Sequence, residues 1–594
     1  MENRRFILIA LFVVVLFFLY QAWQDDYGND NVVASNPTPQ LNVPDEAQTR
    51  PVRDVPDDAP TAALPADQGD APTAVSAGPL EEDQTVATPN GQLISVETDV
   101  IKAQISLQGG EIRRVELKDY PVSKDHPETP IPLLGDRDGQ FFIFQSGLAG
   151  ESVPVASSST AYQSSQTSYQ LADGQKQLEV ELEHVNANGV TVRKVYRFAR
   201  GSYRVVVEQS VNNAGPSALT VSPYARFKRN DVVVGSLPKF VATFLGVGFF
   251  EKKDGSDGYR FVKTKLDNLD DDAFEKRQPD GWIAMLQHYF VAAILPPENS
   301  EGVFSAKQSS KDQTYSAQYV GTGVKVAPGE TQTFPLGLYI GPKLQTGLET
   351  EGHEGGFFKG GGMDNIARGL ELTVDYGWLT ALCEPLFWLL SKFHKLTGNW
   401  GWSIILLTIV VKAAFYKLSE AQYRSMGKMK KFAPRIQDIK ERYGDDRERM
   451  SKAMMDLYKK EGFNPLAGCW PLLVQFPVFI SLYWVLLESV ELRQADFALW
   501  INDLSAPDPY YVLPLLFGLS FYIQQKWSGA TATMDPMQQK IMNIMPIMMT
   551  AFFTFFQAGL VLYWLVSNLI GMAQQWFINR KLATEGLGKN AKTT

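Results

Sequence analysis

Residues 541–579 form a run of 39 positions without one charged side chain. About 20 apolar residues cross a bilayer as a helix. The run therefore holds two spans, with the turn near Gln557-Ala-Gly559. Uncharged stretches also cover 462–487 and 510–525, and Trp402–Leu418 is apolar apart from Lys412 and Lys417. At the amino terminus Arg4 and Arg5 precede an unbroken apolar run from Phe6 to Leu19, flanked by Tyr20 and Trp23. That flank lacks the small-residue pattern of a cleavage site, so the run reads as an uncleaved anchor. Six spans follow, at about 6–23, 400–418, 471–489, 510–527, 541–556 and 559–578. One such run suits a buried soluble helix; four within the last third of the chain do not.

Loop charge orients these spans. Residues 419–470 carry 12 Lys/Arg, whereas 490–509 carry only Arg493. The positive-inside rule places the 419–470 loop, the basic tail 579–594 and both termini in the cytoplasm. Residues 24–90 hold nine prolines between Pro37 and Pro79, and 25–90 hold 13 acidic against two basic residues. Such a composition cannot bury enough apolar surface to fold, so it reads as an extended acidic tether. The remaining chain has a charge of about +2, the difference between −9 overall and −11 in the tether. That leaves no basic footprint for specific nucleic-acid binding.

Between tether and second span lies a β-rich region, 91–345. Leu178-Glu-Val-Glu-Leu182 alternates, and Val190–Phe198 and Tyr203–Glu208 are rich in β-branched residues. Residues 346–399 read as a Gly-rich hinge at 355–362 followed by an amphipathic interfacial helix over 370–396. The charged segment 419–461 reads as two cytoplasmic helices broken at Gly444-Asp445-Asp446. Two cysteines and five histidines show no metal-ligand spacing, and no phosphate loop or nucleophile elbow is present. No cofactor or metal is expected, and no enzyme activity.

Lys412 is the informative side chain. It interrupts Ile404–Phe415 about six residues before the end of the span, some 9 Å deep at 1.5 Å per residue. A lysine that only snorkels to the interface is the bland reading. Against it, Lys417 already anchors that end. No predicted span carries an Asp or Glu well inside, so Lys412 suits a wet recess that receives negative charge from elsewhere. Thr408, one turn earlier, shares its helical face. Gln475, Ser520, Gln524, Ser567 and Asn568 add polarity to the later spans.

Ordered motifs then carry a resemblance: Gly281-Trp-Ile-Ala-Met-Leu-Gln-His-Tyr-Phe290, Tyr339-Ile-Gly-Pro-Lys343, Asp375-Tyr-Gly-Trp378, Asn399-Trp-Gly-Trp402, Asn464-Pro-Leu-Ala-Gly-Cys469, Val490-Glu-Leu-Arg493, Trp500-Ile-Asn-Asp-Leu-Ser505, Asp508-Pro-Tyr-Tyr511, Asp535-Pro-Met-Gln-Gln-Lys540 and Gly559-Leu-Val-Leu-Tyr563. With them the chain resembles the YidC-type membrane protein insertases of Gram-negative bacteria, everywhere except the tether. The resemblance implies a polytopic α-helical membrane protein with a five-helix insertase core and a periplasmic all-β supersandwich. It implies a hydrophilic groove open to cytoplasm and lipid, with the family's cation, usually Arg, falling on Lys412. The substrate-contacting Thr falls on Thr408, the sixth-span aromatic on Trp564, and the third-span substrate face on Gln475, Phe476 and Phe479. Where the family usually reads Tyr-Pro-Leu, this chain has Tyr416-Lys417-Leu418.

The implied partners are nascent inner-membrane proteins, the Sec translocon with its accessory subunits, membrane lipids, and the ribosome through the basic cytoplasmic segments. The implied activity is insertion and folding of inner-membrane proteins. Two other classes compete with it. A transporter or channel would show internal symmetry between halves of the membrane region, and none is visible. A sugar-active enzyme on a mutarotase-type β-sandwich would use His288 as base, but spacing offers no carboxylate partner.

Overall fold

The computed structural model describes residues 92–584 apart from 152–154, 187, 235–242, 254–257, 270–272, 310–311, 346–368, 375, 445, 461–469 and 529–535. The anchor at 1–23, the tether at 24–90 and the hinge at 355–362 lie outside the described residues. The chain divides into two compact units, one β-rich up to Val374 and one helical from Asp375.

Among the described residues the β-rich unit contains an eleven-stranded and an eight-stranded sheet. Gln177–Val185 shows how its sequence selects a strand. Leu178, Val180 and Leu182 are buried while the glutamates between them face solvent, the period-2 pattern of a strand with one covered face. It pairs antiparallel with Val190–Ala199 (Val180 opposite Tyr196), which pairs in turn with Arg204–Asn213. Thr331–Pro342 then joins Arg204–Asn213 to Phe290–Leu295. The larger sheet centres on Leu219–Arg229 between Phe142–Gly150 and Tyr315–Gly321. Neighbouring strands are thus often far apart in sequence.

Between the sheets, Lys194 is fully buried and donates to the carbonyls of Gly109 (2.9 Å) and Ser146 (2.8 Å). Burial is the main influence on this ammonium and pushes its pKa down to about 7, with nearby Glu111 opposing the shift.

Eight helices follow among the described residues: α1 (Thr380–Thr397), α2 (Trp400–Ala414), α3 (Tyr416–Arg442), α4 (Arg447–Lys460), α5 (Trp470–Glu488), α6 (Val512–Ser528), α7 (Pro536–Phe553) and α8 (Ala558–Thr584). Helix α1 ends where Gly398 adopts φ +65°, the left-handed geometry glycine favours after a helix. Asn399 then caps α2, its Oδ1 accepting from the Trp402 N–H at 3.1 Å. The break between α3 and α4 falls at the Gly444 signal.

The 400–418 span expected to be continuous is instead broken. Phe415, at φ −88° and ψ 10°, separates α2 from α3, and Trp400–Ala414 and Tyr416–Ser425 are bent by 63°. That geometry interrupts the helix at Phe415 with lysine, not proline, at 417. Among the described residues no single helix is long and apolar enough by itself to cross a membrane, and only this bent pair meets the length and composition needed together.

The connection 490–511 is ordered by its own polar side chains. Asp508 accepts from Trp500 Nε1 (3.0 Å) and from the Leu513 N–H (2.7 Å) at the start of α6. The loop also fastens to helix ends. Leu504 and Ala506 carbonyls accept from the Gly559 and Ala558 N–H groups, and Asn399 Nδ2 donates to the Phe497 carbonyl.

Candidate functional site

The candidate residues of the helical unit fall into two groups. The first lies on α2 and α8. Ile404, Leu407 and Thr408 are buried, whereas Ile409 and Val410 on the other side of α2 are exposed. Lys412 follows Thr408 by four residues on the covered side and is half-buried. It occupies the last turn of α2, three residues before the bend at Phe415, rather than the interior of a longer straight helix. The expected depth, counted from residue 418, therefore does not apply. Among the described residues no carboxylate pairs with Lys412.

The Thr408 hydroxyl donates to the Ile404 carbonyl at 2.6 Å, so it is bound to its own helix. Facing this turn, Gln574 of α8 donates from Nε2 to the Lys412 carbonyl at 3.2 Å. Gln575 beside it is buried, with Oε1 unpartnered. Tyr423 of α3 donates to the Gly571 carbonyl at 3.1 Å, fixing the helix beyond the bend against α8. Nearer the middle of α8, Asn568 Nδ2 donates to Ser520 Oγ on α6 at 2.8 Å.

Trp564 belongs to the second group. Its ring lies 4.5 Å from Phe479 in an edge-on contact, 4.7 Å from Phe553 and 5.7 Å from Phe517. Four helices, α5 to α8, therefore meet at one aromatic cluster. Its indole Nε1 is buried without an acceptor. Phe476 lies one turn from Phe479, ring centroids 6.4 Å apart, and is 46% exposed, so it presents an aromatic face outward. Gln475 is half-buried. Ten residues of α8, about 15 Å of helix, separate Trp564 from Gln574. The cation and the aromatic cluster thus occupy different levels of the bundle.

Gln574 and Gln575 were missed as site residues in the sequence. Their signal is a doubled amide inside the 39-residue uncharged run. Ser520 and Asn568, by contrast, were expected to add polarity and are joined to each other.

The histidine reading has a different outcome. His288 is buried with its ring 4.1 Å from Tyr289, while exposed His126 lies 3.3 Å from Glu128 and His184 lies 2.8 Å from the Ala161 carbonyl. Among the described residues no group of His, Cys, Asp and Glu forms a metal site.

Comparison with known proteins covers both units. Residues 93–389 match the YidC periplasmic domain, and residues 392–585 match the family described as 60Kd inner membrane protein. The membrane protein insertase YidC of Nitrosococcus oceani is 42% identical over 590 residues, covering 99% of this chain and 100% of that protein. That of Methylococcus capsulatus is 40% identical over 588 residues, covering 98% and 99%. A solved structure of an active YidC insertase with its first transmembrane domain resolved matches 82% of this chain and 92% of its own, at 17% identity and a TM-score of 0.37.

Proposed function

The chain belongs to the YidC family of membrane protein insertases, and we propose that it admits polar client segments through a hydrophilic, positively charged intramembrane groove whose cation is Lys412. The family is one of inner-membrane insertases, not of enzymes, and its clients are nascent membrane proteins. That sets aside the sugar-active reading of the β-rich unit.

The observation that carries the proposal is the polar turn where α2 meets α8. There the Gln574 amide donates to the Lys412 backbone carbonyl, with no described carboxylate neutralising the Lys412 ammonium. A client's translocated segment must shed water before it crosses, and its charges and amides are costly to bury bare. A recess lined by an unpaired ammonium and side-chain amides shortens the apolar distance and attracts an acidic tail. Transfer of the client's apolar helix into lipid then supplies the driving force, at about 25 cal/mol per Å². The membrane potential adds about 2.3 kcal/mol per negative charge moved outward per 100 mV.

The aromatic face at Phe476, Phe479 and Trp564 suits the passing apolar helix, because aromatic surfaces contact many side-chain shapes. Gln475 and Thr408 border the same path. In this reading six spans place both termini in the cytoplasm. The parallel course of α2 and α8 supports it, since Ile404 lies near Gly559 and Lys412 near Gln574. The protein works alone or beside the Sec translocon and its accessory subunits, and the basic hairpin of α3 and α4 offers a surface for the ribosome. It also helps clients fold.

Photocrosslinkers at positions 408, 476 and 564, with a stalled single-span nascent chain as target, test the path. Adducts at all three are expected; adducts at none, with the protein folded, would remove the groove from the reading.

A further inference from the structure

Helix α2 stops at Ala414, α3 starts at Tyr416, and the two are bent by 63°. Sharp bends in helices arise at proline, at glycine–serine pairs, at π-bulges, or where a side chain enters the ladder of backbone hydrogen bonds. No proline or glycine lies between Gly401 and Gly427, and neither helix has a π turn near the bend. The Thr408 hydroxyl bonds back to the Ile404 carbonyl, but Thr408 precedes Phe415 by about two turns of helix. The fourth cause remains.

The hydrogen bonds around Phe415 show where the ladder is entered. The Phe415 N–H donates to the Val411 carbonyl at 3.1 Å, and the Ser419 N–H donates to the Phe415 carbonyl at 2.9 Å. A continuous helix would pair the Lys412 carbonyl with the Tyr416 N–H. That carbonyl accepts instead from Gln574 Nε2 of α8, at 3.2 Å. Beyond the bend, α3 is tied to the same helix. Tyr423 donates to the Gly571 carbonyl at 3.1 Å, and Glu420 lies 3.8 Å from Lys581 of α8 and 3.0 Å from Arg424 on its own helix. Helix α8 therefore supplies partners on both sides of Phe415.

We infer that Gln574 is a positioning residue for insertion: its amide enters the backbone ladder at the Lys412 carbonyl, holds the bend between α2 and α3, and so fixes where the Lys412 ammonium stands against α8.

The inference rests on the reading of Lys412 as the groove cation. The held carbonyl and the ammonium belong to one residue, so fixing the first sets the point from which the second reaches. Without the amide, the Tyr416 N–H is free to claim the carbonyl and α2 to run on into α3. Proline at position 417 would produce a bend by another route, because it has no N–H for the Ala413 carbonyl and its ring clashes with that carbonyl. It would fall in the first turn of α3, where proline is tolerated. Lys417→Pro is therefore a replacement for the Gln574 bond.

The test uses the full-length protein in proteoliposomes, with spin labels at Trp402 and Asp438, exposed positions on α2 and α3. Straightening a 63° bend lengthens the distance between them by about 7 Å, at 1.5 Å per residue. Gln574→Met keeps the length of the side chain and removes the donor. A population with the longer distance should appear, and insertion of an acidic-tailed client should fall about fivefold, the equivalent of one neutral hydrogen bond. Gln574→Asn, one methylene too short to reach the carbonyl, should do the same and serves if the first variant folds poorly. Adding Lys417→Pro to either should restore both the distance and insertion. Adding Lys417→Ala, which removes the same charge without constraining the backbone, should restore neither. An unchanged distance in both Gln574 variants, or an insertion defect that Lys417→Pro leaves in place, would overturn the inference. If the distance shifts and recovers while every variant, Lys412→Ala included, inserts the acidic client equally, the groove reading fails and the hold of Gln574 on the bend stands.

Discussion

Replacing Lys412 separates an electrostatic groove from a lysine that only anchors a helix end. Two unit charges 4 Å apart attract by about 1 kcal/mol in water and by about 4 kcal/mol at an effective dielectric of 20. Lys412 is half-buried and has no described carboxylate partner, so its pull on an acidic client tail falls between these limits, at about 1–3 kcal/mol. Lys412→Ala should therefore lower productive occupancy by such clients about 5- to 150-fold. Lys412→Glu should lower it further, because attraction becomes repulsion. Lys412→Arg should insert like wild type, since the charge and reach are kept. Clients with neutral tails should change little, because lipid burial still drives them. The fold should tolerate the alanine. Removing the cation forfeits a favourable contact of about 0.3–1 kcal/mol with the carboxyl end of α2, but relieves its partial desolvation. Lys417 lies exposed beyond the bend, so the double variant Lys412→Ala/Lys417→Ala tests whether it substitutes. The assay is insertion into proteoliposomes of matched single-span clients that differ only in tail charge, at equal reconstituted protein. If Lys412→Ala and the double variant both insert the acidic client within twofold of wild type, the groove reasoning fails.

Removing residues 92–343, which takes out both sheets whole, should leave insertion of a simple single-span client within a fewfold of full length; a collapse of insertion with the helical unit still folded would show that the β-rich unit takes part. Gly401→Ala places a Cβ 2.0 Å from the Phe497 ring, whose own carbonyl is held by Asn399, and should cost about 1–3 kcal/mol through overpacking, read as a lower melting temperature in detergent. Lys194 has a folded pKa of about 7 against an ordinary 10.5. The unfolded chain therefore binds the extra proton between those values, and stability of the β-rich unit should rise with pH across that window and fall as pH drops toward 7. Lys194→Met should flatten this dependence in thermal melts from pH 7 to pH 10; an equal slope in both proteins would assign it to other groups.

Sequence by itself determined which segments are apolar enough to leave water, where the charged hairpin breaks, and which strands alternate. These are properties of neighbours along the chain: a period of 2 in Leu178–Leu182, a run of uncharged residues, a glycine where a helix must end. It also singled out Lys412, because one cation in an apolar helix is visible without any fold. The bend at Phe415 was not legible, since position 417, two residues after it, is lysine where proline would have announced a break. Nor was the second half of the site. Gln574 meets Lys412 across 162 residues, and a glutamine in an uncharged run looks the same whether it faces lipid, a neighbouring helix or water. The core between the two sheets is further removed still. Its walls come from strands at 204–213, 219–229, 315–321 and 331–342 in two different sheets. Hydrophobic pattern fixes which face of each strand is buried, but the order of strands, and with it which buried faces meet, is decided by the packing of the whole unit.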